Sequence, residues 1–379
     1  MLADKRVALG EIFRNRRERS QDNLPILSVT MGSGLVRRDT LDRKNETSLE
    51  SDEHLLVQTG DIAYNMMRMW QGAFGLAEED GVVSPAYVVL APTAKIDSLF
   101  ASYLFKTPRM LHLFWSYSYG LTDDRLRLYF KDFAEIKIRL PRRIEQVRIG
   151  KILAACDRHI QMVTERIRAS RCLKAGLMQR LLVGTAREDV APWPMEPVLL
   201  GELFAERIEV DRCDLPLLSI TAERGVVPRS SDEYAVGADL RQYKRIAVDD
   251  IGYNTMRMWQ GVSALSEREG IVSPAYTICV PGNRIDGRFA AYMLKHRPVI
   301  NQLFRYSQGL VDDTRNLKYR HFAEVPVAIP SLANQRQVAE DLSLVDRDTI
   351  LFERYRDALL CQKRALMQRL LSMPMPESR

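Results

Sequence analysis

Short apolar runs, broken every few residues by turn formers, occupy two stretches of this chain, and a long helical periodicity follows each of them. In the first stretch Pro25 to Val29, Leu55 to Val57, Val82-Val83, Tyr87 to Leu90 and Ile136 to Leu140 are apolar or β-branched and bounded by Gly, Pro, Asp or Ser. That pattern predicts strands. A short amphipathic piece, Leu9 to Phe13, precedes them, and helical spacing between Phe100 and Phe114 is interrupted by Pro108. After Pro141 the texture changes: Arg142 to Leu182 contains no proline, and Ile149, Leu153, Cys156, Ile160, Val163 and Ile167 recur at alternating spacings of four and three. This is the seam of a long helix that packs lengthwise on another. Leu177 and Leu181 resume it.

The same order of textures then repeats. Asp61 to Pro92 aligns without gaps with Asp250 to Pro281, with 19 of 32 positions identical, and the same separation of 189 residues carries Pro141 to Pro330 and Leu177–Leu182 to Leu366–Leu371. Upstream the separation becomes 191, pairing Leu9-Gly10-Glu11 with Leu200-Gly201-Glu202, so two residues are missing from the second copy between Thr221 and Asp250. The second helix carries Val338, Leu342, Val345, Phe352, Leu359, Leu366 and Leu370 along its seam, with Thr349 and Arg356 intervening. A unit of about 190 residues buries its own core, which makes this a duplicated domain pair and not a solenoid. The fold expected is α+β: two tandem, similar domains separated by two long helices packed as an antiparallel coiled coil with pseudo-two-fold symmetry. Boundaries are expected at 1–141, 142–185, 186–330 and 331–379. A helix of 40 residues is about 60 Å long and exposes too much apolar surface alone, so antiparallel pairing is preferred over folding back on its own globule. Such a pair would hold the globules at the two ends of a rod. Duplex DNA is a ligand with matching symmetry, offering equivalent sites about 34 to 36 Å apart per turn.

Composition narrows the partner without naming it. The chain of 379 residues carries 55 Lys and Arg against 49 Asp and Glu, a formal charge of +6, compatible with nucleic acid but not specific to it. The opening MLADKRVALGEIF is charged and lacks the apolar core of a secretion signal, and no run reaches the ~20 apolar residues of a membrane span. Five scattered cysteines, Cys156, Cys172, Cys213, Cys279 and Cys361, show no zinc or disulfide spacing, and a reducing cytoplasm fits them best.

Candidate DNA contacts lie in the segment most alike between copies. Tyr64, Asn65, Arg68 and Gln71, with Tyr253, Asn254, Arg257 and Gln260, belong to the shared YN-x-MRMWQG run, and Arg, Asn and Gln can pair bidentately with purine edges. Trp70 and Trp259 read more readily as packing. The window that differs most holds Arg37, Arg38 and Lys44 in one copy and Arg224, Arg229, Arg241, Lys244 and Arg245 in the other; Arg125, Arg127, Arg315 and Lys318 lie near a later loop. Clustered cations of this kind suit phosphates. The acidic pairs Asp123-Asp124 and Asp312-Asp313 read as turn formers, not metal ligands.

Signals for catalysis are weak. Ser84-Pro85-Ala86-Tyr87 and Ser273-Pro274-Ala275-Tyr276 look faintly like the tetrapeptide of amino-methyltransferases, but no glycine-rich cofactor loop accompanies them. Asp123 with Glu135-Ile136-Lys137 vaguely resembles a nuclease metal site, yet Pro326 replaces Lys137 in the second copy. No GxxxxGK[ST] loop is present, and no metal site or cofactor is expected in this chain.

The order of these motifs resembles the specificity subunits of type I restriction-modification systems. Gly60-Asp61-Ile62 matches a strand of that family, and Asp249-Asp250-Ile251 departs from it at the glycine. Leu140-Pro141 with Glu145-Gln146, and Ile329-Pro330 with Asn334-Gln335-Arg336, resemble its helix starts, the second departing where Glu is usual. GLMQRLL (Gly176–Leu182) and ALMQRLL (Ala365–Leu371) resemble its spacer and partner-docking regions. The resemblance implies a non-catalytic subunit that reads a bipartite duplex target with an unspecified spacer. It further implies two docked modification subunits that bring S-adenosylmethionine, and restriction subunits that bring ATP. Because both copies share the YN-x-MRMWQG run, the halves of the target are expected to be inverted and near-identical. A stand-alone DNA-binding protein and a protein-binding scaffold are the rival expectations, and an intrinsic methyltransferase is a third.

Overall fold

The computed structural model describes residues 6–19, 24–41, 53–122, 125–182, 193–221, 224–229, 239–309, 311 and 314–371. Residues 1–164 with 354–379 form one compact unit and residues 165–353 the other.

In the first unit β1 (Arg6–Ala8) leads through a 3-10 turn at Leu9–Glu11 into β2 (Phe13–Arg16). The predicted single amphipathic piece is thus a turn and the start of a strand. The hairpin of β3 (Leu27–Thr30) and β4 (Gly34–Arg37) follows. Then come β5 (Leu55–Val57), β6 (Ile62–Asn65), β7 (Phe74–Leu76), β8 (Gly81–Val83) and β9 (Tyr87–Pro92). Helices α1 (Ser98–Phe105), α2 (Pro108–Ser116) and α3 (Phe130–Glu135) cover them before β10 (Lys137–Arg139) returns to pair with β1. Pro108 interrupts nothing: it is the first residue of α2, where a missing N–H costs no helical bond. The central sheet runs β2-β9-β6-β7, antiparallel throughout. Phe13, Tyr64, Phe105, Phe114 and Phe133 form one ring cluster beneath it.

A single helix, α4 (Arg143–Leu181), then fulfils the predicted 142–182 periodicity. The second unit repeats the plan. β11 (Glu196–Leu199), α5 (Leu200–Leu203), β12 (Phe204–Glu206), the hairpin β13 (Leu218–Thr221) with β14 (Gly225–Pro228), β15 (Lys244–Ile246) and β16 (Ile251–Asn254) come first. β17 (Ser263–Leu265), β18 (Gly270–Val272), β19 (Tyr276–Pro281), α6 (Gly287–Met293), α7 (Arg297–Tyr306), α8 (Tyr319–Ala323), β20 (Pro326–Ile329) and α9 (Leu332–Leu371) complete it. Its sheet order, β12-β19-β16-β17, is that of the first copy.

Within each unit one stretch of α4 packs on one stretch of α9. In the first unit Lys363 contacts Asp157 and Tyr355 contacts His159. In the second Ser170 bonds Thr349 at 2.7 Å, Arg171 bonds Glu353 at 2.6 Å and Lys174 bonds Asp346 at 2.8 Å. Partner numbers fall from 363 to 355 between Asp157 and His159, and from 349 to 346 between Ser170 and Lys174, so within each unit the helices run antiparallel. Leu153, Val163 and Ile167 are buried, as are Val338 and Leu342, while Ile149, Ile160, Val345, Phe352 and Leu359 are half-buried along the same seam. The polar break at Thr349 is filled by Ser170, which gives its hydroxyl a partner across the seam.

The helix ends do more than continue the seam. Leu366, Met367 and Leu371 pack into the aromatic core of the first unit, and Leu177, Met178, Leu181 and Leu182 into that of the second. Each LMQRLL motif is therefore core on its apolar face. Gln146 and Gln335 fix the helix starts. Gln146 Oε1 accepts from Asp97 N at 2.8 Å while Nε2 donates to the carbonyls of Lys95 and Pro141. Gln335 makes the same three bonds to Asp286, Arg284 and Pro330. Glu145 caps the Arg142 N–H of the first helix; at the second, where Asn334 stands, the Ser331 hydroxyl accepts from the Asn334 N–H at 3.4 Å.

Candidate nucleic-acid interface

Strand alternation decides what the shared YN-x-MRMWQG run can present. Ile62 and Tyr64 share a face of β6 and point into the core, as Ile251 and Tyr253 do on β16. Tyr64 and Tyr253 are fully buried, and burial raises both hydroxyl pKa values well above the ordinary tyrosine range. They are core residues, which corrects the expectation that they touch DNA.

Asn65 and Asn254 close the strands. Asn65 Oδ1 accepts the Met67 N–H at 2.9 Å, and Asn254 Oδ1 accepts that of Met256 at 3.0 Å. These are Asx turns, so the two amide oxygens hold the backbone. The turn ends at Gly72 (φ 90°) and Gly261 (φ 78°), in the left-handed region that a side chain would strain. Trp70 and Trp259 lie along the turn, each donating its indole N–H to a main-chain carbonyl, of Met67 and Met256. The turn exposes one arginine, one glutamine and one methionine per copy: Arg68, Gln71 and Met67, the first two in contact at 3.3 Å, and Arg257, Gln260 and Met256.

A part-buried ion pair holds the start of each of these strands. Arg16 Nε donates to Asp61 at 2.7 Å, and Asp61, 2% exposed, also accepts the Gln58 N–H at 3.0 Å. Arg207, Asp250 and the Ala247 N–H repeat this with bonds of 2.7 Å. The carboxylates raise both arginine pKa values. The pair ties β2 to β6 and β12 to β16, and it explains why the Asp of the Gly-Asp-Ile motif is inside. Gly60 has φ 93° and Asp249, its counterpart, φ 67°. Both adopt the left-handed turn, and Asp is among the few residues that tolerate it.

The remaining candidates are scattered over several elements. Arg37 forms a double hydrogen bond with Glu79 (2.7 Å from Nε), and Arg38 follows it on a 3-10 turn. Lys44 lies outside the described residues, as do Asp123, Asp124, Asp312 and Asp313. Arg224 is exposed at the tip of the β13–β14 hairpin, where its N–H is held by Thr221 Oγ1 at 3.0 Å, and Arg229 follows that hairpin half-buried. Arg241 bonds Asp239, and Arg245 is drawn inward by Glu209 and Glu269. Lys244 is largely buried and donates to the Tyr276 carbonyl at 2.9 Å, so its ammonium is already engaged. Arg125 and Arg127 are exposed; Arg315 stacks on the Phe304 ring, 4.0 Å from its centroid; Lys318 is exposed. Sequence reading missed Arg16 and Arg207, whose signal is their shared 191-residue separation opposite the Asp61 and Asp250 pair.

Among the described residues no cluster of His, Cys, Asp and Glu could hold a metal ion, and no helix is long and apolar enough to cross a membrane. Residues 7–169 match the family model described as the type I restriction modification DNA specificity domain. Among solved structures the chain is similar to the HsdS subunit from Thermoanaerobacter tengcongensis (TM-score 0.51, 15% identity, covering 98% of this chain and 97% of that one). It is also similar to the type I restriction-modification system S subunit from M. genitalium (TM-score 0.60, 14% identity, 98% and 96%). A structure concerning complex assembly and conformational transition of the type I R-M system matches with TM-score 0.58, 13% identity, 98% and 97%. At these identities the structures speak for the fold, and the family match speaks for the first copy, whose elements the second repeats. The first copy, residues 7–169, thus matches a type I restriction modification DNA specificity domain, and the chain as a whole has the fold of S subunits of such systems.

Proposed function

We propose that each of the two similar domains reads one half of a bipartite duplex target, and that the chain docks two modification subunits. Restriction subunits join the same assembly. S-adenosylmethionine and ATP then belong to those partners, and this chain supplies sequence choice alone. The observation that carries the reading is the pair of equivalent turns, each held by an Asx bond and an indole N–H bond, and each exposing one Arg and one Gln. Rigid presentation of those two side chain types is what base-edge readout in the major groove requires. Arg224 at its hairpin tip, with Arg125 and Arg127, supplies phosphate contacts that set register. Since the exposed turns are alike, the half-sites are inverted and near-identical.

The test is duplex binding by the chain assembled with a modification subunit. Log affinity is expected to fall linearly with log salt, and Arg68→Ala with Arg257→Ala to abolish preference for one sequence over another. Salt-independent binding, or none, returns the chain to a scaffold; tight specific binding without any modification subunit makes it a stand-alone DNA-binding protein.

A further inference from the structure

The two copies differ sharply at one surface beside the exposed turn. In the second unit a cleft of about 360 Å³ is lined by Glu206, Lys244, Thr277, Asn316, Lys318 and Arg320. Strand register identifies the counterparts in the first copy: Glu206 and Asn15 both sit on the first strand of the sheet, opposite Cys279 and Leu90. Lys244 pairs with Val272 as Leu55 does with Val83, and Thr277 with Tyr253 as Val88 does with Tyr64. Lys318 and Arg320 correspond to Tyr129 and Lys131 at the same 189-residue separation. In the first copy Tyr129 packs on Tyr119 with centroids 5.8 Å apart, and Lys131 lies over the Tyr119 ring. Gln308 stands where Tyr119 would be. Where the first copy has Leu55, Val88 and Tyr129, the second therefore has a cleft that sets Lys244, Thr277 and Lys318 beside the apolar Pro274 and Tyr319.

The lining also limits its ligand. Lys318 is exposed at the rim, Lys244 reaches in from β15, and Glu206 lies 3.9 Å from Lys244. The Tyr253 hydroxyl, buried beside Thr277 and near Glu206, makes no hydrogen bond of standard geometry, whereas Tyr64 donates to the Leu128 carbonyl at 3.2 Å. With Lys244, Lys318 and Arg320 against Glu206 the lining is net cationic, and the carboxylate adds an acceptor that a phosphate would not use. A G·C pair suits both charges, since guanine O6 and N7 accept from an ammonium and the cytosine amine donates to a carboxylate.

We infer that this cleft takes a G·C pair, read by Lys318 and Glu206, at one position of the second half-site where the first domain, with Tyr119 and Tyr129, makes no such choice. The inference rests on the recognition reading above and breaks the symmetry of the two halves at that position. Selection from randomised duplexes by the chain assembled with modification subunits tests it. The wild type enriches two inverted half-sites that agree except at one position, which is G·C in the half read by the second domain. Lys318→Tyr, restoring the residue of the first copy, and Lys318→Ala, which needs no aromatic neighbour, each lower the preference for G·C there about tenfold and leave the other half unchanged. Half-sites identical at every position overturn the inference. So does a Lys318→Ala variant that weakens all sequences equally with a shallower salt slope, the mark of a phosphate contact. Enrichment of no sequence at all overturns the recognition reading itself, and this inference with it.

Discussion

Lys174 donates to the Asp346 carboxylate at 2.8 Å, and Tyr292 donates its hydroxyl to the same oxygen at 2.8 Å, joining α4, α9 and α6 in the second unit. The first unit builds the same cluster with the helices exchanged: Lys363 on α9, Asp157 on α4 and Tyr103 on α1, whose hydroxyl donates to Asp157 at 2.6 Å. Each lysine also lies over its tyrosine ring, at 5.1 and 5.3 Å. Burial first, and the carboxylate second, raise both tyrosine pKa values. Asp346→Ala leaves an ammonium and a phenol without their acceptor, and a loss of about 1–3 kcal/mol in unfolding free energy is expected. Asp157→Ala should cost a similar amount, and because the clusters share no partner the double variant should show the sum. Denaturant titration of the three variants measures this.

Backbone conformation gives a prediction of opposite sign. Asp249 holds φ 67° where the first copy uses Gly60. Asp249→Gly removes the left-handed strain and should stabilise the protein by roughly 0.5–1 kcal/mol, net of the extra freedom of glycine in the unfolded chain. Gly60→Ala should destabilise by about 1–2 kcal/mol through φ alone, since the added methyl group meets nothing closer than Ser98 Oγ at 4.0 Å. Thermal midpoints of the two variants moving in the same direction would contradict the assignment.

His296 supplies the pH dependence. It is the N-cap of α7 but makes no capping bond, whereas Thr107 in the same place on α2 accepts the Met110 N–H. Burial depresses the His296 pKa. A folded-state pKa below the unfolded value of about 6.5 means that the unfolded chain binds the proton more tightly. Its contribution is therefore complete above about pH 6.5 and is lost as pH falls below that value toward the folded pKa. His296→Thr should gain about 1 kcal/mol at neutral pH from the cap, and more at pH 5, where the wild type alone is penalised. An unfolding series from pH 7.5 to 5 that shows parallel curves for wild type and variant contradicts it.

Exposed and buried members of the shared turn should separate cleanly. Arg68→Ala and Arg257→Ala remove exposed side chains, so stability should stay within about 0.5 kcal/mol while specific affinity falls by about 1–3 kcal/mol. Asn65→Ala loses the bond to the Met67 N–H and should lower stability by about 1 kcal/mol. Arg16→Met leaves Asp61 buried and unpaired, with an expected cost of about 3–5 kcal/mol. Parallel binding and melting curves distinguish the two behaviours.

Elements with long periods were legible from the residues. The helices at 143–181 and 332–371 follow from apolar spacing sustained over many turns, and the second copy follows from identity. Short strands made of apolar residues, such as β3, β5 and β8, were legible too, whereas those with polar or aromatic residues were not. β2 reads as polar, FRNR, because Arg16 is drawn inside by a carboxylate 45 residues away. Tyr64 and Tyr253 resemble surface aromatics until β6 and β16 are recognised, when their spacing of two from Ile62 and Ile251 sends them inward. The Lys–Asp–Tyr clusters have no local signature: Tyr103, Asp157 and Lys363 meet only once α9 lies against α4.

The central claim is that two equivalent domains read two half-sites. Mapping the methylated adenines made by the chain assembled with its modification subunits tests it most directly. The account predicts modification within a bipartite target whose halves are inverted and agree at all but one position, separated by bases of any identity. Two unrelated halves, or one continuous site, would contradict it.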